Sequence, residues 1–145
     1  MTDVPTIERV TSPEAPEPAP ELWSNCLVSN GIAYISGLTA RGADFETIEG
    51  ADEYAQAQLI FRKMDSLVTA AGGTMADVLK LTIFVTDIQN RKKIWDARRE
   101  FFTGNFPCAS LVEVRNLASP EILVEIEAVA HLGAGKPGDD AAPSA

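Results

Sequence analysis

Apolar and polar positions change period several times along the chain, and each change predicts an element. Leu22–Ser29 and Ile32–Gly37 read as strands, and Asn30-Gly31 between them is a strong hairpin signal. From Ala51 the period becomes helical, with Ala57, Phe61, Met64, Val68 and Ala71 on one stripe. Asp52 and Glu53 suit the first turn, where the helix dipole is positive, and Gly72-Gly73 supplies a left-handed stop. Val78–Thr86 is a strand with Leu79, Leu81, Ile83 and Val85 on one face and Val78, Lys80, Thr82 and Phe84 on the other. Asp87 can cap a second helix running to about Phe102 and ended by Gly104; Ile88, Trp95 and Phe102 are spaced by seven, and Ile94, Ala97 and Phe101 reinforce that face. Ser110–Arg115 and Ile122–His131 are the last strands, and Thr6–Val10 is a first one. The order β-ββ-α-β-α-β-β predicts an α+β domain, two helices over one face of a six-stranded sheet.

The other face of that sheet has no predicted cover. In the last strand Val124, Ile126, Ala128 and Ala130 suit packing under the helices, while Leu123, Glu125, Glu127, Val129 and His131 point away. In the strand before it, Leu111, Glu113 and Arg115 alternate with Val112 and Val114. The bare face therefore mixes acids with Leu111, Leu123, Val129 and Phe84. It either meets water, as antiparallel sheets often do, or meets another copy. Glu125 and Glu127 carry the same two readings: solvated strand acids paired with Arg115 or Lys80, or acids of a site.

At 145 residues the chain fits one domain with a core of its own. Residues 1–20 read as a strand and a Pro-rich arm (TSPEAPEPAP), 21–132 as the body, and 133–145 as a disordered tail. The net charge of −9 argues against nucleic acid and anionic membranes as partners. The start MTDVPTIERV resembles no leader and no apolar run reaches membrane length, so a cytoplasmic location is the expectation. Cys26 and Cys108 have no metal-like spacing and read as small reduced core residues. His131 is the single histidine, which leaves no histidine cluster for a metal, and it reads as a strand-end residue. There is no P-loop and no nucleophile elbow. The basic run Arg91-Lys92-Lys93 with Arg98-Arg99 reads as a solvated helix face.

Several segments, in order, resemble the RidA (YjgF) family. They are Ile35-Ser36-Gly37, Ala70-Ala71-Gly72-Gly73, Thr82-Ile83-Phe84-Val85-Thr86-Asp87, Phe101-Phe102, Phe106-Pro107, Ser110-Leu111-Val112-Glu113-Val114 and Val124-Glu125-Ile126-Glu127-Ala128-Val129-Ala130. The likeness runs from about Trp23 to His131. It implies a chorismate-mutase-like fold and a homotrimer, with the sheets forming an inner barrel and small-molecule clefts between subunits. It also implies hydrolysis of a reactive enamine or imine to a keto acid and ammonia, without metal or organic cofactor.

Carried over residue by residue, the resemblance makes Glu125 the water-orienting acid and Ser36-Gly37 the lining of the cleft. Trp23 stands where the family has a pocket tyrosine, keeping an aromatic wall without the phenolic hydroxyl. The main departure is Ala109. The family's deaminases read Pro-x-Arg-Ser, with the arginine on the substrate carboxylate, whereas this chain reads Pro107-Cys108-Ala109-Ser110. Losing a charged anchor costs about 2–5 kcal/mol, roughly 30- to several-thousand-fold. Leu111 also stands where many members have cysteine. The departure points to a substrate other than 2-aminoacrylate, such as an aminomuconate-like enamine, with Arg41 or Arg115 as replacement anchor. A non-catalytic trimer binding a small carboxylate metabolite is the alternative, and a generic interaction protein is the third.

Overall fold

A computed structural model describes residues 4–135. The strands are β1 (Glu8–Val10), β2 (Cys26–Ser29), β3 (Ile32–Leu38), β4 (Val78–Val85), β5 (Cys108–Glu113) and β6 (Val124–His131), and the helices are α1 (Glu53–Ala70) and α2 (Arg91–Arg99). They form one six-stranded sheet in the order β1-β2-β3-β6-β4-β5. All pairings are antiparallel except β4 with β5. The sheet is therefore mixed, in keeping with the chorismate-mutase-like fold that the family resemblance implies.

Local chemistry explains most boundaries. Asn30 and Gly31 both take positive φ, 52° and 75°, as a tight β2–β3 hairpin turn requires. Asp52 caps α1 by accepting from the Ala55 N–H at 2.9 Å. At the other end Gly72 has φ +95° and the Gly73 N–H donates to the Val68 carbonyl at 2.9 Å, which stops the helix. Asp87 caps a 3-10 turn over Ile88–Asn90, and α2 proper begins only at Arg91. The second helix is thus shorter than its apolar spacing suggests.

The core lies between α1 and the sheet. Ala57, Phe61, Met64 and Val68 of the expected stripe are fully buried, with Ile60 and Leu67 beside them. They meet Leu81, Ile83 and Val85 of β4 and Val124, Ile126 and Ala130 of β6. Phe61 stacks against Phe101 and Phe102, at ring-centroid distances of 5.5 and 5.6 Å. Gln56, also buried, donates to the Gly50 and Glu121 carbonyls and accepts from the Leu123 N–H, so it pins the start of β6 to α1.

Three expectations need correction. A register shift in β4 sets Val78 opposite Ala130 and Lys80 opposite Val129. That bulge turns Val78 into the core and leaves Leu79 exposed, the reverse of simple alternation. Leu111 lies level with buried Ile83 and packs on the core, whereas Val112, level with Phe84, is exposed on the bare face. Cys108 is exposed, and only Cys26 is a core cysteine.

The face away from the helices carries Leu27, Tyr34 and Val129 in one row and Thr82 with Glu127 in the next. Tyr34 is 53% exposed there and Val112 44%. The Pro-rich arm folds back against the body, with Ala15 buried. Gly133 and Gly135 donate their N–H groups to Asp77 at 2.9 and 2.7 Å, which ties down the segment after β6. The rest of the expected tail, from Lys136, and residues 1–3 lie outside the described residues. Among the described residues no helix is long and apolar enough to cross a membrane.

Candidate functional site

Two adjacent strands create the site. Along β3 the pairing with β6 slips by one residue: Ile35 faces Ala128, but Leu38 faces Ile126. Ser36 and Gly37 form this bulge, and a bulge re-aims the groups it contains. Ser36 Oγ donates to the Ser24 carbonyl at 2.5 Å, while its N–H donates to the Asn25 carbonyl at 2.9 Å. Gly37 lies against Glu125 of β6. A Cβ on Gly37 would fall 2.8 Å from the Glu125 carboxyl carbon and 2.9 Å from its Cγ. Any side chain at this position would have to move that carboxylate from its present place.

Ser36, Gly37 and Glu125 line a cavity of about 390 Å³. The arm supplies one wall. Buried Asn25 donates to the Pro16 carbonyl at 2.9 Å and accepts from Trp23 Nε1 at 3.2 Å, which holds the arm and the indole in place. The loop after β3 supplies another wall. Phe45 has φ +62°, a strained conformation for a bulky residue. Its ring lies 5.8 Å from that of Trp23, and the Arg41 guanidinium lies 5.2 Å above it. Arg41 also donates to the Phe45 carbonyl at 3.0 Å. Asp44 braces the loop by accepting from the Glu46 and Thr47 N–H groups.

The floor includes Lys63 of α1, a lysine only 5% exposed. Its Nζ donates to the Thr39 and Arg41 carbonyls at 2.7 and 2.6 Å. Burial pushes this amine down to about 8, with Arg41 adding to the effect and Glu49 opposing it. Glu125 moves the other way. Burial and the like charge of Glu127 raise its carboxyl above the usual range, and Arg41 pulls it partly back. The cavity thus offers a half-buried carboxylate that holds its proton more tightly than usual, two cations and an aromatic wall.

Five of the expected site residues come together here: Trp23, Ser36, Gly37, Arg41 and Glu125. Ala109 does not. It lies on the edge strand β5, level with Leu81, two strands away from Glu125. Arg115 is exposed on the loop after β5, outside the cavity, although Ala118 of the same loop reaches it. Glu127 is exposed on the bare face opposite Thr82, and His131 ends β6 in solvent. Asn25, Phe45 and Lys63 were not anticipated. The signal for Lys63 was present, because it occupies the stripe position among Ile60, Met64 and Leu67. Among the described residues no three His, Cys, Asp or Glu side chains gather as metal ligands would.

Comparison with known proteins covers the same stretch of chain. Residues 13–132 match the family model described as endoribonuclease L-PSP. A protein of unknown function from Pseudomonas aeruginosa is 36% identical, with a TM-score of 0.79 over 90% of this chain and 95% of its own. A Rid-family protein of unknown function from Yersinia pestis is 31% identical, with a TM-score of 0.80 over 88% of this chain and 100% of its own. RidA from an Antarctic Psychrobacter is 26% identical, with a TM-score of 0.76 over 86% of this chain and 99% of its own. Matched along nearly the whole described fold, the chain belongs to the RidA (YjgF) family, the family described as endoribonuclease L-PSP.

Proposed function

We propose that this protein hydrolyses a reactive enamine or imine to a keto acid and ammonia, on a substrate other than 2-aminoacrylate, such as an aminomuconate-like enamine. The observation that carries the reading is the Glu125 carboxylate, half-buried in a cavity and seated against the Ser36-Gly37 bulge. The enamine tautomerises to the imine. Glu125 holds a water, accepts a proton as the water oxygen bonds to the imine carbon, and returns a proton to nitrogen. The hydroxyl of the resulting carbinolamine then gives up its proton, which passes to the amino nitrogen; the carbon–nitrogen bond breaks, ammonia leaves, and the water oxygen remains as the carbonyl. A carboxyl raised by burial and by Glu127 is a stronger base than an ordinary carboxylate, which suits the first proton transfer. Trp23 and Phe45, their rings tilted by 42°, offer an aromatic wall for an unsaturated substrate. Arg41 supports the replacement-anchor reading, because it lines the cavity and Arg115 does not.

In this reading three chains pack their bare sheet faces together, so Tyr34, Val129 and Val112 become interface and the cavities open between subunits. Ribonuclease action is disfavoured by the net charge of −9, which repels a phosphate backbone. The test supplies candidate enamines generated in situ by a pyridoxal-phosphate enzyme and follows ammonia and keto acid. Accelerated release from at least one unsaturated amino acid enamine supports the proposal. Tight ligand binding with no accelerated hydrolysis favours the non-catalytic binding trimer instead.

A further inference from the structure

Lys63 is a buried charge, and nothing in the hydrolysis proposed above uses it. It stands on the core stripe of α1, 5% exposed, yet it lines the cavity that holds Glu125. Two of its three ammonium hydrogens go to the Thr39 and Arg41 carbonyls. The third has no protein acceptor among the described residues. Arg41 commits one nitrogen to the Phe45 carbonyl and holds its guanidinium carbon 5.2 Å from the Phe45 ring centre, and its other N–H groups make no hydrogen bond among the described residues. Among the described residues neither cation has a carboxylate within ion-pairing distance. One buried and one partly buried cation thus line the same cavity, each with unused donors, an arrangement suited to an anionic ligand.

We propose that Lys63 and Arg41 together bind the carboxylate of a small organic anion whose unsaturated body lies on the Trp23–Phe45 wall. Lys63 contributes its third hydrogen and Arg41 the free edge of its guanidinium. The arrangement moves the charge that recognises substrate from the edge strand, where Ala109 offers none, to the α1 side of the cavity. The inference shares the cavity of the proposed function but does not depend on turnover there.

Protonation gives the site a signature. Lys63 is faced by Arg41 and Glu49 from the segment between β3 and α1 and by Glu125 across the cavity, with Glu14 and Arg62 around the hollow on its other side. With its amine lowered to about 8, Lys63 loses charge as pH rises through that value, and anion affinity falls with it.

The experiment is calorimetric titration of the full chain with benzoate and with neutral benzamide, in the wild type, Lys63→Met and Arg41→Met. Benzoate should bind about ten- to a hundred-fold more tightly than benzamide at neutral pH. Either substitution should remove most of that preference, read as the ratio of benzoate to benzamide affinity in the same variant. The wild-type preference should shrink well above pH 8, and Lys63→Met should lack that change. Any pH dependence surviving in Lys63→Met belongs to Glu125. Equal binding of the two probes, no saturable benzoate binding, or an undiminished preference in both variants overturns the proposal. If Lys63→Met fails to fold, Arg41→Met and the wild-type pH dependence decide, since Arg41→Met keeps Lys63 and both its carbonyl partners. Because no arm requires catalysis, a protein without deaminase activity can still pass, and failure here leaves the role of Glu125 to turnover.

Discussion

Gly37 and Glu125 compete for one volume: the space a side chain on Gly37 would fill already holds the Glu125 carboxyl group. The bulge in β3 and the acid in β6 are therefore a single device. The extra residue re-aims the β3 backbone, glycine leaves the gap, and Glu125 enters it from the neighbouring strand. The substitution Gly37→Ala should push the carboxylate aside. Because what must move is the end of a flexible side chain, the melting temperature should change little. Displacing the catalytic group should lower kcat/KM by about 10²-fold, more than the loss of stability alone explains. Wild-type kcat/KM in Gly37→Ala would mean that Glu125 does not act from this position.

The pH profile should report Glu125. As a base it works ionised, so activity should fall as pH drops through its raised pKa, above the usual carboxylate range. Removing the like charge with Glu127→Gln should shift that acid limb to lower pH. Removing the favourable charge with Arg41→Met should shift it higher. Stability follows the same linkage: a carboxyl raised by folding contributes stability that is fully present below its unfolded pKa and lost as pH rises through the folded value. Glu125→Gln should therefore melt higher than wild type at neutral pH, with the gap closing in acid. Thermal melts across that range check the sign.

The bare sheet face should assemble three copies. Light scattering at micromolar concentration should give the mass of a trimer, and Tyr34→Glu, which sets a charge at an exposed aromatic position of that face, should weaken assembly. A stable monomer would remove the interface. Assembly also bears on Ala109, which lies too far along its own sheet to meet Glu125 and could do so only from a neighbouring subunit. Ala109→Arg should then raise the weak activity expected on 2-iminopropionate. No change would mean that the cleft has diverged beyond that one position.

Alternation along β6 was legible because it is an internal strand with helices over one face, so burial follows the two-residue period without interruption. β4 was misread at its start because the bulge at Val78–Lys80 arises from its register against β6, which its own alternation does not encode. The facing of Leu111 failed for a related reason, since β5 takes its phase from a parallel partner. Within the site, alternation singled out Glu125 and Glu127 without choosing between them; family likeness chose Glu125 and supplied Ser36, Gly37 and Trp23. Lys63 escaped because the helical stripe was counted in apolar residues alone, although a lysine among Ile60, Met64 and Leu67 marks a buried charge needing partners. Phe45 depends on a positive-φ loop that no periodicity reveals.

The most direct test of the account is single-turnover hydrolysis of an identified enamine substrate by wild type and Glu125→Gln, with ligand affinity and oligomeric state measured on the same samples. The substitution keeps the shape of the side chain and removes the base. The account predicts an intact assembly, near-unchanged binding and a rate lower by about 10²–10⁴-fold. An unchanged rate would contradict it and move the search for the base to Glu127.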